Sequence, residues 1–392
     1  MGKKNKKIAV FLGHPAHFHL YKHAVDFLNN KGFQVTYLIK RKDILEDLVK
    51  QTGVPYIVVR DKERTKSSKL GLIYSMLKMD FNVFKALLKD RPKLLTGTYC
   101  PIFSKLTFIP FISCNEDDAK VVPNYAILSY PPANSILTPI VCDNGKWNCK
   151  STKYPSYHEL AYLHPNHFTP DKEVVEAYGI DTSKPYFIMR FASLKAHHDD
   201  GIKGINTEVA QNLVDILAPH GQIYITSERE LEPQFEPYRI RINPLDMHHV
   251  MAFASLYIGD SQTMAAEAGV LGTPFVRFND FVGRIGYLRE LEDTYELGYG
   301  VHASPLQEDS NIRLTNGQVQ PSGTEALYKA VEDLVAIPAD ERKRIFSERR
   351  ERMLSEKIDY AKFLTWFIEN YPASQQETRE NQENAAFWAQ FK

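Results

Sequence analysis

Asp260-Ser261-Gln262-Thr263, followed by Glu267 and Arg277, is the segment of this 392-residue chain whose residue types and spacing most suggest chemistry. It reads as a buried strand at 256–258, a tight Gly-Asp-Ser turn, a helix, and a second strand at 274–278 entered through Gly272-Thr273-Pro274. Asp260 or Ser261 is a natural N-cap, and Ala265, Ala266, Ala268 and Gly269 let the helix lie close to a sheet. Free N–H groups at such a helix start, with the helix dipole behind them, suit a phosphate. Glu267 falls about two turns further on, roughly 10 Å from the cap, where a nucleotide's ribose hydroxyls would donate to its carboxylate. The same pattern also fits a capped β-α-β unit that binds nothing.

Further candidates lie at other strand ends. Gly13-His14-Pro15-Ala16-His17-Phe18-His19 follows an apolar strand at 8–12, and either His17 or His14 is expected to act as a general base or substrate contact. His14, His17, His19 and His23 raise the question of a metal, but no cysteine or carboxylate precedes Asp26 in that segment, and no metal site is expected. Asp117 and Asp118 follow a strand at 108–114, where open α/β sheets bind ligands, and serve equally as acid, base, sugar-hydroxyl acceptor or solvated turn. Arg190 ends a strand at 185–191, with His197, His198 and Asp199 in the loop after it and Ser227 at the end of the strand at 222–226. An arginine there suits a pyrophosphate, because its fork meets two oxygens at once.

Positioning these groups requires two runs of β-α alternation. The first contains strands at 8–12, 34–39, 56–60, 93–97, 108–114 and 135–141 and an apolar, lysine-flanked helix at 70–88. A helix is expected only from residue 20, after a loop at 13–19, and residues 142–153 read as irregular. An aromatic and proline-rich crossover separates this run from the second, giving domains at 1–150 and 185–355, a crossover at 151–184 and terminal helices at 356–392. Lys plus Arg and Asp plus Glu both total 48, so no global field favours nucleic acid. Nothing approaches the roughly 20 apolar residues of a membrane span, and the basic start lacks a signal peptide's apolar region; a cytoplasmic protein is expected. Four cysteines without Cys-x-x-Cys spacing are read as free thiols.

Asp-Ser-x-x-x-x-x-Glu-Ala-x-x-x-Gly-x-Pro at 260–274 is similar to the donor-site helix of the GT-B sugar-nucleotide enzymes, in particular the UDP-N-acetylglucosamine 2-epimerases and the peptidoglycan N-acetylglucosaminyltransferase, and Gly-Asp-Ser-Gln-Thr-Met-Ala-Ala-Glu-Ala at 259–268 with the segment at 13–19 carries a closer one. The closer resemblance, covering most of the chain, is to a bacterial and archaeal family catalogued only as a domain of unknown function. It implies an α/β fold of two Rossmann-like domains facing a central cleft, with the donor bound through Gly13, Arg190, the 197–199 loop, Ser227, Asp260 to Thr263, Glu267 and Arg277. Aligned on Gly13, His17 stands where the transferase has a cleft histidine, while Pro15 and Ala16 replace its glycines and weaken the loop as a phosphate cradle. The implied activity is metal-independent transfer of a sugar from a nucleotide diphosphate sugar, UDP-linked, to a glycan or lipid-linked acceptor of surface polysaccharide synthesis. No Asp-x-Asp motif signals a divalent metal, and no cofactor is expected. The alternatives are a UDP-N-acetylhexosamine 2-epimerase and a non-catalytic nucleotide-sugar binder. The basic, apolar helix at 70–88 suggests peripheral contact with the inner face of the cytoplasmic membrane.

Overall fold

A computed structural model describes residues 6–42, 44–61, 69–99, 102–192 and 204–392. Two compact units divide the chain: Met1–His167 with Lys357–Lys392, and Phe168–Glu356.

The first unit contains, in order, β1 (Lys7–Leu12), α1 (Pro15–Asn30), β2 (Gln34–Lys40), α2 (Leu45–Gln51), β3 (Tyr56–Arg60), α3 (Lys69–Asp90), β4 (Leu94–Gly97), β5 (Phe111–Cys114), α4 (Pro123–Ser129), β6 (Ser135–Pro139) and β7 (Ser151–Tyr154). Its strands form one parallel sheet in the order β3-β2-β1-β4-β5-β6-β7. Strands covered on both faces read as unbroken apolar runs, and β1 is buried from Ile8 to Leu12. Helix α1 starts five residues earlier than the sequence pattern suggests. His14 is its N-cap and Pro15 occupies its first turn, where a missing N–H costs nothing and a fixed φ favours the helix. What reads as a histidine-rich loop is therefore mostly helix. Residues 142–153 also differ from expectation, since they end in β7, paired with β6 from Ile136↔Ser151 to Pro139↔Tyr154. Its polar residues find partners inside the sheet, with Ser135 Oγ 3.1 Å from Thr152 Oγ1, so hydrophobic alternation does not reveal it.

The second unit contains α5 (Lys172–Glu176), β8 (Tyr186–Phe191), α6 (Thr207–Leu217), β9 (Gln222–Ser227), α7 (Met247–Phe253), β10 (Leu256–Gly259), α8 (Gln262–Leu271), β11 (Phe275–Phe278), α9 (Gly286–Arg289), β12 (Gly298–Val301), α10 (Gly323–Ala336) and α11 (Ala339–Glu356). Its parallel sheet runs β12-β11-β10-β8-β9. Phe187, Met189, Ile223, Ile225, Leu256 and Ile258 pack with Leu213 and Val331 in its core. Strand β12 is not evident in the sequence because it alternates glycine. A side chain at Gly298 would meet the Phe275 ring, and one at Gly300 would come within 2.6 Å of the Glu292 carboxylate. Helices α12 (Tyr360–Asn370), α13 (Ala373–Glu380) and α14 (Ala385–Ala389) belong to the first unit.

Candidate functional site

In the first sheet the strand order reverses between β1 and β4, and the carboxyl ends of those two strands bracket the crevice where such sheets bind ligands. Gly13 and the first turn of α1 emerge on one side and Thr98 on the other. The Gly13 N–H donates to His17 Nδ1 at 3.1 Å, and Thr98 Oγ1 lies 2.7 Å from Nδ1 and 3.1 Å from Nε2. An accepting Nδ1 puts the ring proton on Nε2. Burial, followed by the charges of His14, His158 and Lys42, holds the His17 pKa well below the usual imidazole value, so the ring is neutral. His14 is exposed, and its Nδ1 accepts from the Ala16 N–H at 3.2 Å as the helix cap. The four early histidines do not converge. His19 lies against Tyr162 and His23 stacks on His167, with centroids 4.6 Å apart.

The loop after β5 is the most heavily braced part of this edge. Asn115 Nδ2 donates to the Asp117 carbonyl at 2.7 Å and to Tyr130 Oη at 2.9 Å; Tyr130 in turn donates to Asn144. Asp118 Oδ1 accepts the Asp143 N–H at 2.8 Å, which fastens one loop to the next. Asp117 is different: no hydrogen bond to the other described residues engages its half-buried carboxyl. Its pKa is raised to about 7, first by burial and then by the charges of Glu116 and Asp118, with His158 opposing. Glu116 binds His158, accepting its backbone N–H at 3.0 Å through Oε2 and lying 3.3 Å from its Nδ1 through Oε1. A group titrating near neutrality beside a carboxylate–imidazole pair can both give and take protons.

The second sheet reverses between β8 and β10, and the sequence motif lies at that reversal. Ser261 caps α8, its Oγ accepting from the Met264 N–H at 3.4 Å, and Gly272 closes the helix in the left-handed region at φ 84°. Asp260 Oδ1 accepts the Ala192 N–H at 2.6 Å and so ties the two strand ends together. Burial pushes its carboxyl up to about 6, against backbone N–H groups and Arg229. Gln262 and Thr263 occupy the first turn, Gln262 half-buried and Thr263 exposed. Arg190 Nη2 meets Glu228 Oε1 at 2.6 Å, and Ser227 Oγ bonds to Arg229, donating to its carbonyl at 2.7 Å. Among the described residues, Arg190 Nε, Arg229 Nε and Thr226 Oγ1 are buried without hydrogen-bond partners at the ends of β8 and β9. Buried donors are rarely left unsatisfied, and two of these, on Arg190 and Thr226, sit at paired positions of β8 and β9 beside the reversal, where an acceptor would meet both.

Two motif residues face inward. Glu267 is buried and lies 3.0 Å from His248 Nε2 on α7. Arg277 is fully buried, with Nε and Nη2 on Glu292 at 2.9 and 3.2 Å. His197, His198 and Asp199 lie outside the described residues. Sequence reasoning did not single out Thr98, Glu116, His158 or His248. Two of them left a signal, Glu116 as a carboxylate in the 115–118 run at a strand end and His158 as one histidine in an aromatic-rich segment.

Comparison with known proteins follows the fold. A family profile described as "Protein of unknown function (DUF354)" matches residues 6–281. No curated protein sequence matches the chain. Among solved structures, the S. aureus MnaA-UDP co-structure is similar at TM-score 0.60 and 11% identity, covering 93% of this chain and 96% of that one. UDP-GlcNAc 2-epimerase from Neisseria meningitidis bound to UDP-GlcNAc is similar at TM-score 0.56 and 11% identity, over 93% and 100%. The glycotransferase of kitacinnamycin is similar at TM-score 0.57 and 12% identity, over 93% and 99%. The shared architecture is the two-domain Rossmann-like α/β fold of GT-B enzymes.

Proposed function

From the premise that this chain belongs to the DUF354 family, whose description assigns no activity, we propose that it is a GT-B glycosyltransferase that takes a sugar from a UDP-linked donor without a metal. The observation that carries this reading is the switch point of the second sheet. There the Ser261-capped start of α8 follows β10, the neighbour of β8, and among the described residues Arg190 Nε, Thr226 Oγ1 and Arg229 Nε, at or just beyond the ends of β8 and β9, are buried without hydrogen-bond partners. Helix N–H groups and guanidinium donors suit a diphosphate leaving group, and preorganised charge of this kind is often the largest catalytic contribution. We assign the sugar donor to the second unit, where these hydrogen-bond donors and the start of α8 lie, and the acceptor to the first. Glu267 remains the candidate ribose partner, with His248 fixing its carboxylate.

The first unit favours a lipid-linked acceptor. Tyr74, Leu77, Phe81 and Leu88 of α3 are exposed, as are Ile102, Leu106 and Phe108 after β4. Of the two acids on α3, Asp80 is buried and Asp90 is paired with Lys7, so the exposed charge beside these groups is lysine. Exposed apolar side chains interleaved with lysines along one helix suit an anionic bilayer.

A second reading, epimerisation at C2 of a UDP-N-acetylhexosamine, is favoured by Asp117 near neutrality beside the Glu116–His158 pair. Calorimetry with UDP and UDP-N-acetylglucosamine in EDTA tests the common donor site. Binding is expected without metal, and Glu267→Ala should weaken it about 30- to 1000-fold, the equivalent of roughly 2–4 kcal/mol. Binding seen only with magnesium or manganese would refute the phosphate site. Solvent deuterium appearing at C2 without an acceptor would select the epimerase.

A further inference from the structure

In the first unit, His158 opens the 3-10 turn His158–Ala161. Glu116 holds it twice, through the backbone N–H at 3.0 Å and beside ring Nδ1 at 3.3 Å. Tyr360 of α12 lies along the ring, with centroids 5.5 Å apart and planes 29° apart, which limits its rotation. At the other end of the ring, Nε2 is buried and has no hydrogen-bond partner among the described residues. Glu116 Oε1 beside Nδ1 favours the tautomer with its proton on that nitrogen, which leaves the lone pair on Nε2. A carboxylate behind an imidazole and a vacant acceptor in front of it form the arrangement of a general base, because the carboxylate fixes the tautomer and stabilises the cation that forms.

His17 lacks these features. Its Nδ1 already accepts from Gly13, and burial together with the charges of His14, His158 and Lys42 disfavours its protonated form. His14 is committed through Nδ1 to the helix cap. Asp118 is committed to the Asp143 N–H, whereas Asp117 stands near His158 as a carboxyl protonated up to about pH 7.

We propose that His158 is the general base of the first unit's site, that Glu116 is its positioning residue, and that the group deprotonated is the hydroxyl of a sugar or lipid-linked acceptor. This rests on the transferase reading above. As the acceptor oxygen bonds to the donor's anomeric carbon, its proton passes to His158 Nε2. The bond from that carbon to the diphosphate oxygen breaks, and its electron pair leaves with the nucleoside diphosphate. The imidazolium that results faces Glu116.

The first test needs no substrate. In the full chain carrying 15N-labelled histidine, with His158→Gln assigning the signal, His158 should appear as the Nδ1–H tautomer, and Glu116→Gln should convert it to a mixture. An Nε2–H tautomer in the wild type overturns the proposal, whatever nucleotide the chain binds. The second test uses UDP-N-acetylglucosamine with water as the acceptor hydroxyl. His158→Gln should slow UDP release about 10²- to 10⁴-fold while UDP affinity is unchanged, and added imidazole should partly restore His158→Gly. His17→Gln should cost less than about tenfold on the same scale of proton-transfer effects. Full turnover in His158→Gln also overturns the proposal. If the wild type fails to bind UDP, the donor-site reading fails, and the tautomer measurement still decides the His158–Glu116 pair.

Discussion

Asp117 combines a carboxyl pKa of about 7 with a carboxyl that no hydrogen bond to the other described residues engages, and that combination has a measurable cost. In the unfolded chain the group ionises at the ordinary carboxylate value; in the folded protein it does so only near 7. Between these values the folded state binds more protons than the unfolded state, so this residue's contribution to stability falls as pH rises from about 4 to 7. Below that window both states are protonated and the cost vanishes; above it the cost is constant. Asp117→Asn should therefore stabilise the protein at pH 8 by about 1–3 kcal/mol, after discounting for water screening, and hardly at all at pH 4. Urea unfolding of both proteins at the two pH values measures this, and an equal difference at both would show that the carboxyl is not desolvated. Asp260, raised to about 6, acts in the same direction, while His23, lowered to about 4, acts in the opposite one, so the variant has to be compared with wild type at each pH. A residue retained against stability is expected at a working site.

Among the elements, α8 depends on small residues more than on propensity. Its side chains are buried from Ala265 to Leu271, and a Cβ at Gly269 would come within 2.8 Å of the Phe275 ring. The ring is also closely packed against β12, since a Cβ at Gly298 would come within 2.4 Å of it. Gly269→Ala should therefore destabilise by about 1–3 kcal/mol, even though alanine is the better helix former by about 1 kcal/mol. Phe275→Leu in the same chain should recover part of that loss, measured by urea denaturation. A Gly269→Ala variant more stable than wild type would mean that helix propensity, not packing, governs this position. The clamp also fixes the start of α8 relative to the ends of β8 and β10, on which the proposed diphosphate site depends.

For the molecule as a whole, each unit has its own sheet and core, and the first is assembled from two stretches of chain. No helix among the described residues is long and apolar enough to cross a membrane, and the proposed contact with a bilayer is through a surface of the first unit. Phe108, 95% exposed, together with Leu106 and Phe81, belongs to the patch best suited to it. Replacing all three with serine should leave the thermal midpoint unchanged. It should also abolish sedimentation with phosphatidylglycerol vesicles, which the wild type should show and high salt should weaken. Wild-type protein that stays in the supernatant would remove the lipid-surface reading.

The sequence by itself determined the α/β class, the run of alternating elements and the strand–turn–helix at 256–271. Apolar runs, caps and glycine stops are signals carried within a few residues, and Ser261 and Gly272 bound α8 for local reasons. It did not reveal β7 or β12, whose polar and glycine residues make sense only against Ser135 and Phe275. Only the tertiary structure decided the electrostatic roles. Thr98 reaches His17 across 81 residues, and Glu116 reaches His158 across 42. It also turned Arg277 onto Glu292, because a fully buried guanidinium requires a carboxylate partner. Charge, tautomer and pKa depend on neighbours that are distant in sequence and on exclusion of water, and neither can be read from spacing along the chain.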